Sequence, residues 1–249
     1  MRAQLRAELL KQRSTRTGLG LFAAMLGLVL FAVLLHGFGV ATENADSASE
    51  QLTIVLGPGE RLGSLFAALL GAMSITGEVR HGTIRPTFLV SPWRGRVVAA
   101  KVLASILIGA GFGLAAGAVA AVAGTAALRA RGIDVQLDGG DYALLLAGGA
   151  VAAALWAAIG VGVGAVVRNQ VPALVGLCAW LLFVEGLLVG DVAGVGAVGR
   201  FAPGAAAAAI SGQDPDTLLA PALGLVLLAL YAAAAAVAGS LATARRDVA

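Results

Sequence analysis

Residues 77–101, with the sequence GEVRHGTIRPTFLVSPWRGRVVAAK, form the longest polar segment of an otherwise apolar chain. An apolar segment precedes it and a longer one follows it. Positively charged residues concentrate in the cytoplasmic loops of membrane proteins. The segment is therefore predicted to be an inward-facing loop between two membrane spans, and it carries five basic side chains: Arg80, Arg85, Arg94, Arg96 and Lys101.

The same loop contains signals of helical structure. Ser91 and Pro92 form a helix-start signature, because serine is a favoured N-cap and proline fits the first helical position. Pro86 disfavours the helical conformation of Arg85, the residue before it, so a helix that enters from Glu78 should break there. An interrupted, amphipathic helical loop on the inner membrane surface is typical of a docking element.

The composition indicates a membrane protein. Of the 249 residues, 59% are hydrophobic and only 12% are charged, and the mean hydropathy is +0.91. A soluble domain of this size would need about twice as much charge to cover its surface. Cys178 is the single cysteine, which excludes a disulfide framework within the chain. The basic residues behind the net charge of +3 flank apolar segments, so no nucleic-acid partner is expected.

We predict an all-α fold with six transmembrane helices and an N-terminal amphipathic interfacial helix at residues 1–17. That helix would lie on the inner leaflet; the alternative is a charged tail that only fixes the orientation. Gly57-Pro58-Gly59 marks the start of the second span, after an acidic outer connection at 41–54. Residues 191–216 are predicted to form an outer or re-entrant segment. The spans, each long enough for the hydrocarbon layer, are 18–40, 57–76, 98–128, 142–167, 172–190 and 217–241.

The distribution of basic residues predicts the orientation of these spans. Thirteen of the 17 lysines and arginines fall in segments assigned to the inside, and four fall outside. This asymmetry predicts a multi-pass protein of the cell inner (plasma) membrane with both termini in the cytoplasm.

Spaced glycines predict close helix packing. Small residues at every fourth position allow another helix to approach the backbone closely. This pattern occurs twice, in the third and fourth spans, at Gly109, Gly113 and Gly117 and at Gly160 and Gly164.

The ionisable residues near the spans suggest few other sites. Glu78 and His81 have a spacing that binds metals only when it is doubled, and no second copy occurs, so no metal site is expected. Glu60 and Arg61 are expected to pair or to reach the outer interface. Glu185 is a possible intramembrane polar site, because a carboxylate at membrane depth is commonly functional. Its alternative role is that of an outer-interface residue held by the segment after Gly190.

The loop as a whole resembles the permease subunits of type-2 ABC exporters. The similar pattern is Gly-Glu-x-x-x-Gly-Thr-Ile-Arg, then Ser-Pro-x-Arg-x-Arg, then a lysine at the start of a span. The basic N-terminal helix, the six spans and an outer helix before the last span extend this likeness over nearly the whole chain. The matching positions are Gly77, Glu78, Gly82, Thr83, Ile84, Arg85, Ser91, Pro92, Arg94, Arg96 and Lys101.

This resemblance implies a single ABC-exporter-type transmembrane domain over residues 1–249, with residues 77–97 as the cytoplasmic coupling loop. The loop would dock on a separate cytoplasmic ABC ATPase, which would bind the ATP and Mg, so no cofactor is expected in this chain. A second permease copy or a paralogue would complete the substrate pathway. The residues assigned to the coupling loop are Glu78, Arg80, His81, Gly82, Thr83, Arg85, Pro92, Arg94 and Arg96.

Individual roles follow from the same resemblance. Glu78 would pair with a basic residue of the ATPase or of the N-terminal helix. Gly82 would permit close backbone approach, and Thr83 would cap the following turn. The chain would not be an enzyme. The alternative function is that of an ATPase-independent membrane protein, either a channel or an intramembrane enzyme that uses Glu185.

Overall fold

The computed structural model describes residues 2–39, 45–83, 94–189 and 196–245. These residues form helices and connecting turns, with no β-strand among them. The helix α6 consists of three successive parts, Gln170–Ala179, a π-helical turn at Trp180–Val184, and Glu185–Val189. The other helices are α1 (Arg2–Ser14), α2 (Arg16–Phe38), α3 (Ala48–Arg80), α4 (Arg94–Ala130), α5 (Gly139–Val167), α7 (Pro203–Ile210) and α8 (Pro221–Arg245), with one further helical turn at Gly196–Gly199.

Six of these helices, α2 to α6 and α8, are long and apolar enough to cross a membrane. Successive spans run in opposite directions along the bundle, so α1, the end of α3, the start of α4, the α5–α6 turn and the end of α8 lie at one end. We call this the basic end, and the end that carries α7 the opposite end. The predicted all-α fold with six spans is confirmed.

Two helices form the centre of the bundle. In α3 and α5, 61% of the residues in the most apolar segment are buried, against 17–33% in the other four spans. Side chains such as Trp156 of α5 and Leu65 of α3 belong to the core, whereas large apolar residues of the outer helices, such as Phe31 and Leu230, are exposed. The peripheral helices therefore present apolar faces to their surroundings, as membrane spans do.

The second span begins earlier than predicted, and the assignment of its start to Gly57-Pro58-Gly59 is wrong. The helix starts at Ala48, where Ser47 and Glu50 form a capping box in which each side chain accepts from the other's backbone N–H. Pro58 then lies inside a continuous helix. The π-helical turn at Gln51–Leu56 directly precedes it, and such wide turns accommodate interruptions of the regular hydrogen-bond ladder.

The last span also differs slightly from the prediction. It was expected to start at Thr217, but α8 begins at Pro221. The Thr217 hydroxyl donates to the Asp214 carboxylate, and Asp214 has a positive φ of 40°. The chain therefore turns at these residues before the helix starts. Proline at the first helical position then suits the start of α8.

Candidate functional site at the basic end

Four charged side chains meet at the basic end of the bundle. Glu8 and Lys11 come from α1, Glu78 from the last turns of α3, and Lys101 from the second turn of α4. Lys101 Nζ lies 2.8 Å from a carboxylate oxygen of Glu8 and 2.8 Å from one of Glu78. Lys11 Nζ lies 3.2 Å from Glu8 and 3.0 Å from Glu78. We call these four residues the ion-pair cluster.

Lys101 is the most deeply buried member of the cluster. Its side chain is only 2% exposed, and its ammonium also donates to the Ser74 backbone oxygen at 3.0 Å. A buried ammonium needs such partners, because an uncompensated charge in a low-dielectric interior is strongly unfavourable. The predicted basic loop residue is therefore an internal link between three helices.

Lys11 forms the solvent-facing side of the cluster. Its side chain is 49% exposed. Burial by itself would lower the pKa of Lys11, but the hydrogen bond and negative charge of Glu78, and then the charge of Glu8, outweigh it and leave the pKa raised. Lys11 therefore remains protonated at neutral pH.

The position of α1 explains how the cluster forms. Glu8 and Lys11 are three residues apart, so they occupy one face of the helix. That face lies against α4, and Gln12 extends the contact by donating to the Ser105 hydroxyl at 3.0 Å. Of the two partners suggested for Glu78, the structure shows the one in the N-terminal helix.

The end of α3 presents the next group of predicted loop residues. Arg80 donates to the Gln170 side chain at 3.2 Å, which connects α3 to the start of α6. His81 Nδ1 lies 2.8 Å from the Gly77 carbonyl oxygen, and the Thr83 hydroxyl donates to the Glu78 carbonyl at 3.5 Å. Arg80, His81 and Thr83 are all exposed.

The structure gives a conformational reason for Gly82. Its φ of +70° is a left-handed conformation that terminates α3 and strongly favours glycine. Apart from its chain neighbours, no atom of the described residues lies within 4 Å of the position that a Cβ would occupy. Close approach of a partner's backbone to Gly82 stays a prediction.

Only some of the remaining residues of the predicted loop belong to the described part of the chain. Arg85 and Pro92, together with the predicted break at Pro86 and helix start at Ser91, lie outside the described residues. Arg94 is the first residue of α4, and Arg96 lies exposed in its first turn.

The spaced glycines lie where α4, α5 and α3 approach one another. A Cβ at Gly109 would lie 2.8 Å from the Ala153 carbonyl oxygen of α5, and one at Gly164 would lie 2.6 Å from that of Ala72 in α3. Similar Cβ atoms at Gly113 and Gly160 would overlap the facing backbone. Gly117 is less tightly enclosed, since its nearest neighbour would be a flexible Leu146 side chain at 3.2 Å.

Glu185 lies at the opposite end and is buried, with 6% of its surface exposed. One carboxylate oxygen accepts hydrogen bonds from Trp180 Nε1 at 2.5 Å and from the Gly204 backbone N–H at 2.8 Å. The second contact places Glu185 at the start of α7, where a carboxylate satisfies an orphan N–H. The segment after Gly190 thus contacts Glu185 through Gly204, and the side chain is buried within the protein.

Glu60 is buried among neutral hydrogen-bond donors, which differs from the sequence prediction. It was expected to pair with Arg61 or to reach the interface. It is 4% exposed, and no cation lies within ion-pair distance of it among the described residues. It instead accepts from the Ser64 hydroxyl at 2.8 Å and from Gln213 Nε2 at 3.5 Å. In the part of the chain that the structure describes, no three His, Cys, Asp or Glu side chains group as metal ligands.

The comparison with known families identifies the chain. Residues 6–202 match the profile of the family described as ABC-2 family transporter protein. No curated protein matches the chain. The matched region contains the ion-pair cluster, the loop and five of the six spans, and the chain belongs to the ABC-2 transporter family. It is therefore a multi-pass membrane permease of an ABC transporter, a transport subunit and not an enzyme.

Proposed function

We propose that this ABC-2 permease is the membrane subunit of an exporter, driven by a separate cytoplasmic ATPase that docks on the loop at residues 77–97. The observation that carries the proposal is the ion-pair cluster. It fastens α1, the end of α3 and the start of α4 to one another directly beside that loop.

This arrangement suits the transmission of a mechanical displacement. A force on the loop acts on the ends of α3 and α4, and Lys101 couples both ends to α1 through two carboxylates at 2.8 Å. Since α3 is one of the two central helices, its displacement also moves α5 across the tight glycine contacts. Packed helices move as rigid bodies in such transitions and do not deform continuously.

The charge distribution supports the orientation in this proposal. Thirteen of the 17 lysines and arginines belong to segments that the sequence assigns to the inside, so the basic end would face the cytoplasm and carry both termini at the plasma membrane. The sequence contains no Gly-x-x-x-x-Gly-Lys-Ser/Thr motif, so ATP and Mg would bind to the partner. Helix α1 would lie on lipid through exposed residues such as Leu10, with Arg6 and Arg13 toward the headgroups.

The working assembly would contain two permease chains, each a single transmembrane domain. The second chain would be another copy or a paralogue, and the substrate would pass between them. The exposed apolar faces of the peripheral helices offer surfaces for both lipid and a second permease.

The ATPase contact can be tested by affinity isolation of the tagged chain from its native membrane in mild detergent. Wild type should retain a stoichiometric subunit that hydrolyses ATP. Arg80→Glu reverses an exposed charge at the loop and should therefore lose this subunit. The ion-pair cluster should remain intact in this variant, because the one described contact of Arg80, with Gln170, is peripheral to the cluster.

Arg245→Glu is the matched control, since it reverses another exposed charge at the same end but at the end of α8. It should retain the ATPase. If wild type, monodisperse and folded, isolates without any ATPase, or if both variants retain it equally, the proposed docking on this loop is wrong.

A further inference from the structure

A cavity of about 320 Å³ lies at the opposite end of the bundle, between α3, α5, α6 and α7. It is separate from the ion-pair cluster. Its wall combines apolar side chains with several ionisable ones, which is the usual make-up of a small-molecule site.

Glu60 supplies one carboxyl group of this wall. It is nine-tenths buried or more, and both of its hydrogen-bond partners, the Ser64 hydroxyl and the Gln213 amide, are neutral. Neutral donors compensate a carboxylate only in part, and a buried carboxylate without a cation is costly.

Glu185 supplies a second carboxyl group of the wall. Its Oε1 accepts both hydrogen bonds, from Trp180 and from Gly204, so the capping of α7 accounts for that oxygen. Its Oε2 accepts no hydrogen bond from the described residues. The capping of α7 therefore leaves Oε2 of this buried carboxyl group, at the cavity wall, without a hydrogen-bond donor among the described residues.

The ionisable groups of the lining are mostly acidic. Three carboxylates, those of Glu60, Glu185 and Asp214, line the cavity together with one guanidinium, that of Arg61. Arg61 is exposed and forms no ion pair with any of them in the described part of the chain. A ligand that enters the cavity would meet more acidic than basic groups, and a cationic ligand would stabilise the ionised form of the carboxyl groups beside it.

The rest of the wall favours an organic ligand over a bare metal ion. Trp156 and Leu181 are core residues that give the cavity an apolar side. The indole N–H of Trp156 is buried and has no acceptor among the described residues. A space of this volume could hold on the order of ten water molecules, which is far more than one metal ion requires.

We propose that this cavity binds a monovalent organic cation, an amine or quaternary ammonium attached to an apolar body. The cationic group would lie between Glu60 and Glu185, and the apolar body would lie against Trp156 and Leu181. An acceptor atom on the ligand would satisfy the Trp156 N–H. Export of such a cation would rest on the proposed function, whereas its binding would not.

The probe for the test is ethidium, an aromatic organic cation whose fluorescence anisotropy rises on binding. It is titrated into the purified full chain in lipid nanodiscs without ATPase, so the result does not depend on the proposed function. Glu60→Gln and Glu185→Gln should each weaken binding at least tenfold, because each removes one negative charge while it retains a side-chain oxygen that accepts hydrogen bonds.

Asp216→Asn is the matched control, since it removes an exposed carboxylate of the same end that does not line the cavity. It should change the affinity less than twofold. Wild type should also bind ethidium at least tenfold more tightly than the aromatic anion 8-anilinonaphthalene-1-sulfonate, a comparison that needs no variant to fold. Equal ethidium affinity in wild type and both folded glutamine variants, or a preference of wild type for the anion, would overturn the proposal.

Discussion

Replacement of Lys101 by methionine tests whether the ion-pair cluster fastens the helices at the basic end. Methionine has a similar length and flexibility but carries no charge. The change removes two ion pairs of 2.8 Å and a hydrogen bond to the Ser74 carbonyl. It also leaves the carboxylates of Glu8 and Glu78 close together without their central cation.

The expected magnitude follows from the burial of Lys101. Removal of one partner from a buried ion pair costs about 3–5 kcal/mol, since it leaves an uncompensated charge. Lys11 still contacts both carboxylates at 3.0–3.2 Å, which offsets part of this loss. We therefore expect the free energy of unfolding to fall by about 3 kcal/mol, at the lower end of that range.

Lys11→Met is the matched control. It removes an ammonium from the same two carboxylates, but this ammonium is half exposed. Exposed ion pairs contribute about 0–1 kcal/mol, so the free energy of unfolding should fall by no more than that.

The assay is unfolding of the purified chain in mixed micelles with increasing sodium dodecyl sulfate, followed by helix content. A third variant, with Lys101→Met, Glu8→Gln and Glu78→Gln together, should recover part of the lost stability, because neutral groups replace the unpaired charges. If Lys101→Met and Lys11→Met were equally stable, or if the triple variant were less stable than Lys101→Met alone, the reasoning about a buried fastening would be refuted.

Four glycine substitutions extend these tests, each measured by the same unfolding assay. Gly82→Ala should cost roughly 1–2 kcal/mol, because alanine disfavours a φ of +70° although space for its Cβ is available; an unchanged stability would contradict this account of the α3 end. Gly160→Ala should lower the free energy of unfolding by about 1–3 kcal/mol, because its Cβ would overlap the α3 backbone. Gly111→Ala is the control, since the space around Gly111 is open, and it should be neutral or stabilising. Equal effects of the two changes would argue against the α3–α5 packing. Gly204→Ala would overlap the Glu185 carboxylate, so it should break the capping hydrogen bond at a cost of about 1–3 kcal/mol, and an unperturbed protein would contradict the buried position of that carboxylate.

The sequence predicted the six spans well because these depend on local composition. An apolar segment of about 20 residues between polar connections has few alternatives to a membrane helix. The start of α3 was missed although its signal was present, since Ser47 and Glu50 have the spacing of a capping box. The Gly-Pro-Gly motif outweighed this signal, and the π-helical turn that accommodates Pro58 has no clear sequence signature.

The partners of the charged residues could not be predicted in the same way. Lys101 and Glu8 are 93 positions apart, and Gln213 and Glu60 are 153 apart, so their contacts depend on how the helices pack. Glu185 was recognised as unusual from its depth alone, but its contact with Gly204 depends on the fold of the segment between them. Local patterns indicate that a buried charge needs a partner, and only the tertiary structure identifies which one.

Cysteine cross-linking can show whether the loop after α3 contacts an ATPase at the basic end. In a Cys178→Ser background, which lacks cysteine, a single cysteine is placed at exposed Thr83 beside the loop or at exposed Thr217 at the opposite end. A short thiol-to-amine cross-linker should join the ATPase to the chain from position 83 and not from position 217. Equal cross-linking from both positions, or none from position 83 in a complex that contains the ATPase, would contradict the account.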